Sequence, residues 1–463
     1  MSFFFSLYSR PQQGILTALT AAACTRLWLA YQEIIRGISL ADVRAELHRE
    51  YGEDIKSFLR GPSDCLHFSN AAAFNDIYNN KNKWDKDYSL YRTFDMDTSA
   101  FGFVHYSDAK QRRDVLGSVF SRTSILQLQD LIQERVNVLC DALSHQFAAG
   151  KSSNIVLGLR CFTTDVVMFF CFAKTMDATK APDFEADVAI ASEAALALLT
   201  TIKYSGTLSL FFLRKMLMDQ INDVLRSPGE LENAPHRIIY HSLLDPDVNK
   251  GRPLPSKLSL WHEAGALLGA GSDTTSIGAT TIVHHVLRIP GVQQRLVKEL
   301  RVAWPVLEEV PRYEVLEKLP YLAMKEGLRM FPGGAALPRI VPREGAVISG
   351  VFIPGGTVVG QSFTWVHRSP EVFPNPDAFI PERWLGRDAK TLEASMAVFS
   401  KGPRSCLGVN LAYCELYLVI ASIFRRFDLT LDPKRPGELK FREHFVPVFA
   451  GEHLHAYCAP AAD

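Results

Sequence analysis

Phe399-Ser-Lys-Gly402-Pro-Arg404-Ser-Cys406-Leu-Gly408 places a single thiol between two glycines, with an arginine two residues before it. An apolar run, Leu407 and then Val409 to Ile423, follows at once and predicts a helix beginning at or beside Cys406. A thiolate there sits at the positive end of a helix dipole, among backbone N–H donors expected to lower its pKa. Gly402 and Gly408 let the backbone approach something flat and bulky without a Cβ clash. The combination suits a cysteine that ligates haem iron axially.

The chain around this stretch has 463 residues and 47% hydrophobic content, enough for a large core. Length alone admits about three domains. No linker rich in Pro, Gly or Ser, no repeat and no run of like charge divides it. The reading is therefore an N-terminal segment, residues 1–25, and a single domain from 26 to 463. Lys and Arg total 50 against 50 Asp and Glu, a balance that argues against a nucleic-acid footprint. The eight cysteines form no CxxC pair and mostly sit in apolar runs, so they read as buried thiols and not as a disulfide framework. The uncharged stretch from Gly14 is interrupted by Arg26 and falls short of the roughly 20 apolar residues of a bilayer-spanning helix. No clear transmembrane anchor is expected.

Apolar periodicity predicts helices over 27–51, Ala109 to Ser121, Ser124 to Phe147, Leu157 to Ala173, Glu185 to Tyr204, Leu208 to Leu225 and roughly 258–288. The last stops before Ile289-Pro290-Gly291, a helix breaker. Ala346 to Thr364 changes to a period of two and reads as a hairpin, with Ser349-Gly350 and Pro354-Gly355-Gly356 as turns. The fold class is mainly α with small β-sheets.

Two further constellations bear on Cys406. Ala270-Gly271-Ser272-Asp273-Thr274-Thr275 puts small, hydroxyl and acidic residues in the middle of a long helix. Back-bonding of Ser and Thr to carbonyls one turn earlier is expected to bend that helix. The bend would open a pocket beside Gly271, with an alcohol and a carboxylate facing it to relay protons to bound dioxygen. Glu326-Gly-Leu-Arg329 sets opposite charges at i and i+3 on one helix face. Pro381-Glu-Arg383-Trp384 supplies a second arginine in a Pro-bounded turn. Glu326, Arg329 and Arg383 are expected to form a buried charge network that locks the loops around the thiol.

Together these motifs resemble the cytochrome P-450 superfamily of haem-thiolate monooxygenases, from about Arg26 to the C-terminus. The cysteine signature F-x-x-G-x-R-x-C-x-G is complete from Phe399 to Gly408. The A/G-G-x-D/E-T-T motif at Ala270 to Thr275, E-x-x-R at Glu326 to Arg329 and P-E-R-W at Pro381 to Trp384 stand in the family's order. Asn82 to Asp87, Ala109 to Arg113, Lys325 to Arg329 and Phe399 to Leu416 look like fungal secondary-metabolism members of the trichodiene-oxygenase kind.

The resemblance implies the cytochrome P-450 fold, with haem b between the long central helix and the cysteine loop and Cys406 as its axial thiolate. Phe399 would pack near the ligand loop and Gly408 would complete the signature around it. Arg404 and Arg339 would hold the haem propionates, and Arg113 would be the cofactor-binding arginine of the helix that crosses the porphyrin face. Asp273 and Thr274 would help protonate bound dioxygen, while Glu326, Arg329 and Arg383 would be structural. The implied reaction inserts one dioxygen atom into a hydrophobic terpenoid, polyketide or alkaloid. Its implied partners are an NADPH-dependent cytochrome reductase and cytochrome b5, for a monomer on the cytosolic face of the endoplasmic reticulum. An electron-independent haem-thiolate isomerase or dehydratase, or a haem-binding protein without catalysis, stand as alternatives. The expected substrate pocket lies between 270–275, 90–108, 190–215, Gly333 to Leu337 and Phe445 to Val448.

The sequence departs from the family at Ala109, four residues before Arg113, where Trp or His is usual. His105 lies one helical turn earlier. The N-terminus lacks a recognisable anchor helix and proline-rich hinge, which leaves a peripheral or soluble form open. Lys110, Arg112 and Lys401 would supply a basic patch for the reductase. Leu208 to Leu213 reads either as a membrane-dipping segment or as core helix. His284-His285 lacks the i, i+4 spacing of paired metal ligands on a helix.

Overall fold

A computed structural model describes residues 65–191 and 211–461, apart from 228, 322, 323, 335, 443 and 444, together with scattered positions between 31 and 48. The expected helix from 185 begins at 187, and from 192 to 210 the chain lies outside the described residues. The Leu208 to Leu213 side chains and the segment from Gly14 to Ala30 lie outside them too.

The helices that position the thiol stand in this order: α1 Ala71–Ile77, α2 Tyr106–Gly117, α3 Arg122–Ala148, α4 Ile155–Phe172, α5 Phe211–Arg226, α6 Lys257–Arg288, α7 Pro290–Ala303, α8 Met324–Arg329 and α9 Val409–Arg426. Local chemistry fixes their ends. The side chains of Ser121, Asn154 and Ser256 accept hydrogen bonds from the backbone N–H groups of Ser124, Leu157 and Ser259, as N-caps do. Pro290 closes α6 and opens α7, where its missing N–H costs nothing.

α6 is the axle, with α4, α5, α7, α8 and α9 all packed on it. Every residue of α4 except Phe169 is buried, as befits a helix that is mostly apolar around its circumference, and Arg160 and Asp165 are buried with it. Among the described residues it is the helix long and apolar enough to cross a membrane, yet its surface is spent on the core. Gly271 lets α6 approach it: a Cβ there would lie 2.5 Å from Val167 Cγ2. Thr163 Oγ1 donates across the same contact to Ser272 O at 2.7 Å.

The sheets are small. β1 (Cys65–His67), β6 (Val358–Gly360) and β3 (Arg339–Ile340) form one, with β1 parallel and β3 antiparallel to β6. β2 (Ser153–Asn154), β10 (His455–Pro460) and β7 (Phe427–Leu431) form another. β4 (Ala346–Ile348) and β5 (Val351–Ile353) make the hairpin through Ser349-Gly350, both at positive φ. β8 (Phe441–Arg442) pairs with β9 (Val448–Phe449). The predicted hairpin is therefore shorter than expected. After Pro354 the chain leaves it, and Val358–Gly360 joins β1 and β3 instead.

Candidate active site

Cys406 N–H donates to Phe399 O at 2.8 Å and closes the loop into a compact turn. Gly402, at φ +77, has Asn79 O 2.7 Å from where its Cβ would be, so this glycine seats the loop against the end of α1. It serves packing within the chain, not the flat approach expected of it. Gly408, by contrast, has no atom within 4 Å of a would-be Cβ. The Phe399 ring packs on Tyr413 with centroids 5.1 Å apart. α9 begins at Val409 with Gly408 as N-cap, three residues past Cys406.

The Cys406 side chain is accessible on one side, while the protein behind it raises the thiol pKa by burial. The Gly408 N–H and the Arg113 charge act in the other direction. The expected lowering therefore does not appear in the protein's own groups, because burial outweighs both. The other described cysteines, at 140, 161, 171, 414 and 458, are buried and free.

Around this turn stand four cations. Arg404 donates from Nη1 to Phe103 O and from Nη2 to Val104 O, both at 2.8 Å, and its buried Nε has no partner. Arg339 Nη1 reaches Tyr91 Oη at 3.3 Å and Pro338 O at 3.1 Å. Burial, then Arg339, pushes the Arg404 pKa down to about 10, and burial lowers that of Arg113. The fourth cation, Lys86, was assigned no role by its sequence. Among the described residues none of the four has a carboxylate within ion-pair distance. His105 does not join them. It is exposed and pairs with Asp85 at 2.8 Å, which raises its pKa.

This donor set fits haem b: one accessible thiol for the iron, and cations short of carboxylates for the two propionates. Arg404 Nε, buried and unpartnered, is a donor the protein itself does not satisfy.

α6 presents its middle differently from expectation. The back-bonds form, from Ser272 Oγ to Leu268 O at 2.5 Å and from Thr274 Oγ1 to Ala270 O at 2.6 Å, and the helix runs unbroken from Lys257 to Arg288. Ala270 is exposed and Thr274 half-buried, one turn apart on the same accessible stripe. Asp273 does not share it. It is 2% exposed and meets Arg160 of α4, Oδ1 to Nε at 3.2 Å. Successive helical residues point about 100° apart, so the alcohol and the acid face different neighbours.

The 98–103 loop is held on α6 by a buried network. Arg112 donates to Glu263 and to Ser259 Oγ, each at 2.8 Å. Ala100 N–H donates to Glu263 Oε2 at 2.9 Å, and Thr98 Oγ1 meets His262 Nδ1 at 2.7 Å. Burial raises the Glu263 pKa and Arg112 opposes it. Arg112 thus points inward, and the expected patch of Lys110, Arg112 and Lys401 does not form. Lys110 pairs with Asp114 along its own helix, and Lys401 donates to Asn75 Oδ1 and Ala394 O. Phe101 of this loop makes an edge-to-face trio with Phe94 and Phe445, with centroids 4.7 to 5.4 Å apart. They bring the 90–108 stretch against the 445–448 tail.

Glu326, Arg329 and Arg383 meet. Arg329 grips Glu326 through Nε at 2.9 Å and Nη2 at 2.8 Å, and Arg383 Nε adds a bond at 3.1 Å. Trp384 Nε1 and Ile380 N–H fill the remaining carboxylate positions at 3.0 and 2.8 Å. Arg329 spends its other protons on the carbonyls of His367, Pro376 and Ala378. His285 stacks on Phe379 at 4.7 Å, and burial takes its pKa down to about 4 and that of His284 to about 3. No metal-binding group of His, Cys, Asp and Glu occurs among the described residues.

Arg160, Glu263 and Lys86 escaped the sequence reading. Arg160 lies between Leu159 and Cys161 and Glu263 opens the apolar run Ala264 to Leu268, and a charge set in an apolar run is the signal that marks such residues as buried.

A family model described as Cytochrome P450 matches residues 27–451. Cytochrome P450 monooxygenase flvC of Aspergillus flavus is 32% identical, over 95% of this chain and 90% of its own length. Cytochrome P450 monooxygenase aneF of Aspergillus aculeatus is 30% identical, over 91% of this chain and 90% of its own. N-acetyltryptophan 6-hydroxylase ivoC of Emericella nidulans is 29% identical, over 76% and 74% respectively.

Proposed function

The chain belongs to the cytochrome P450 family and is a haem-thiolate monooxygenase, and from that premise we propose that Cys406 is the axial ligand in a single domain beginning near residue 26. The observation that carries the assignment is the accessible Cys406 thiol on a turn flanked by cations short of carboxylates. Arg404, Arg339 and Arg113 would hold the cofactor's carboxylates. Haem b held in this way, with Cys406 as its ligand, would supply dioxygen activation.

The chain's own residues do the rest. Thr274, on the accessible stripe of α6, holds a proton on Oγ1 and turns it from Ala270 O toward the pocket. Asp273, ion-paired with Arg160 behind it, resupplies that proton only after turning from Arg160 and taking one up, since the paired carboxylate is ionised. Phe94, Phe101 and Phe445 give the pocket a wall that excludes water and favours a hydrophobic substrate. The substrate class is a terpenoid, polyketide or alkaloid of fungal secondary metabolism. Electrons come from an NADPH-dependent reductase at the cytosolic face of the endoplasmic reticulum, with cytochrome b5 as a second donor.

Reconstitution with reductase, NADPH and a panel of such compounds tests this reading. Thr274→Ala is expected to keep haem and NADPH consumption while coupling to product falls about tenfold or more, the electrons appearing as peroxide. Unchanged coupling would remove Thr274 from the proton path. Product formation without NADPH would replace oxygenation by an electron-independent reaction.

A further inference from the structure

Lys86 is a lysine where a solvated charge has no place. It is 4% exposed, on a stretch between α1 and α2. Its backbone forms a β-bridge with Arg339, and its N–H donates to Val104 O at 3.1 Å. Its ammonium donates to Phe101 O and lies 3.9 Å from the centroid of Tyr91. Tyr91 is the residue whose hydroxyl meets Arg339, and Val104 is the residue whose carbonyl takes Arg404. Three cations are thus tied to the same short run of backbone and one tyrosine.

Among the described residues no carboxylate comes within ion-pair distance of these cations, and Asp85 acts on Arg404, and Asp114 and Glu263 on Arg113, only from farther off. Burial, then the charges of Arg339, Arg404 and Arg113, drives the Lys86 pKa well down. The three arginines keep their protons in a protein, so an anion beside them relieves their repulsion and at the same time favours the charged form of Lys86. α2, which carries Arg113, adds no second polar contact on the preceding turn, because position 109 is a fully buried alanine. Two carboxylates offer about four acceptor positions each, and two of the three arginines, Arg339 and Arg404, are already engaged with backbone carbonyls, which leaves acceptor positions for a further donor.

We propose that Lys86 is a further cofactor-binding residue, donating a charge-assisted hydrogen bond to a haem propionate alongside Arg339 and Arg404. The proposal rests on the haem reading of the site. Its test separates the two.

Haem transfer from the loaded protein to apomyoglobin measures how long haem is retained. Lys86→Met, which keeps the length of the side chain, is expected to shorten retention about ten- to a hundredfold, the range a bond to a charged group carries. The same measurement is then made with haem dimethyl ester, which lacks the carboxylates. Wild type and Lys86→Met should release the ester at equal rates. If the variant shortens retention of haem and ester by the same factor, Lys86 is a prop for the 101–104 backbone and the proposal is overturned. Unchanged haem retention in the variant overturns it as well. Should Lys86→Met not fold, Lys86→Gln carries the same comparison and is decided by the same two outcomes. Failure of the wild-type protein to bind haem through Cys406 would instead bring down the reading of the whole site, and the spectrum of the loaded wild type shows that before any variant is made.

Discussion

Two buried charge assemblies flank the Cys406 turn, and they are built on opposite terms. Around Glu326 one carboxylate is met by Arg329, Arg383, Trp384 and the Ile380 N–H, and Arg329 has a carbonyl for each spare proton it offers there. Around Arg404 four cations gather, three of them on carbonyls and a tyrosine, with no carboxylate of the described residues within ion-pair distance. The first assembly is complete within the chain and can only be structural. The second is electrostatically open and has the form of an anion-binding site. A buried charge network therefore announces a scaffold when its account closes internally, and a ligand when it does not.

The comparison is broken most severely by Glu326→Gln. It keeps the shape but leaves Arg329 buried with no counter-charge, and is expected to cost about 3–5 kcal/mol. The denaturant midpoint of the haem-free protein measures this, and a loss near zero would mean that the network is not holding the loops.

Glu415 sharpens the contrast, since an acid can do what an arginine cannot. It is buried on α9 with Oε2 unpartnered, and burial alone raises its pKa well above the usual carboxylate range. The folded chain therefore binds a proton that the unfolded chain releases above about pH 4.5. This makes stability fall as pH rises from there toward the folded pKa. Glu415→Gln, an isostere of the neutral acid, should be more stable than wild type at pH 8. The gap should shrink by about 1.4 kcal/mol per pH unit once the pH drops below the folded pKa, and close near pH 4.5. A gap independent of pH would show that Glu415 is ionised in the fold.

The smallest effect belongs to Lys86→Met in the haem-free protein. Losing the bond to Phe101 O is offset by relief from three neighbouring cations, so stability should change by only about 1 kcal/mol. A loss as large as that of Glu326→Gln would place Lys86 with the scaffold.

The helices were largely legible because their signals are local. Ser256 and Pro290 bound α6 in the sequence as they do in space, and the Glu326-x-x-Arg329 spacing forces both side chains onto one face. The Ser349-Gly350 turn was readable for the same reason. What could not be read depended on contacts across the chain. Asp273 and Thr274 are neighbours in sequence, yet only the packing of α4 shows that the acid meets Arg160 while the alcohol lies on the accessible stripe. Arg112 and Arg113 look like one basic pair, and only Glu263 separates an inward latch from a cation beside Cys406. Val358–Gly360 carries the same period as the hairpin before it, and its partner β1 lies almost 300 residues away in the chain. Lys86 was hidden among the charged residues of Asn82 to Asp87, where nothing local distinguishes a buried lysine from a solvated one.

The carbon monoxide difference spectrum of the reduced protein, taken for wild type and Cys406→Ala, tests the central claim most directly. Wild type should show the Soret band of a thiolate-ligated haem, and Cys406→Ala should lose it. A thiolate-type band that persists in Cys406→Ala would contradict the assignment of Cys406 and the account of the site built on it.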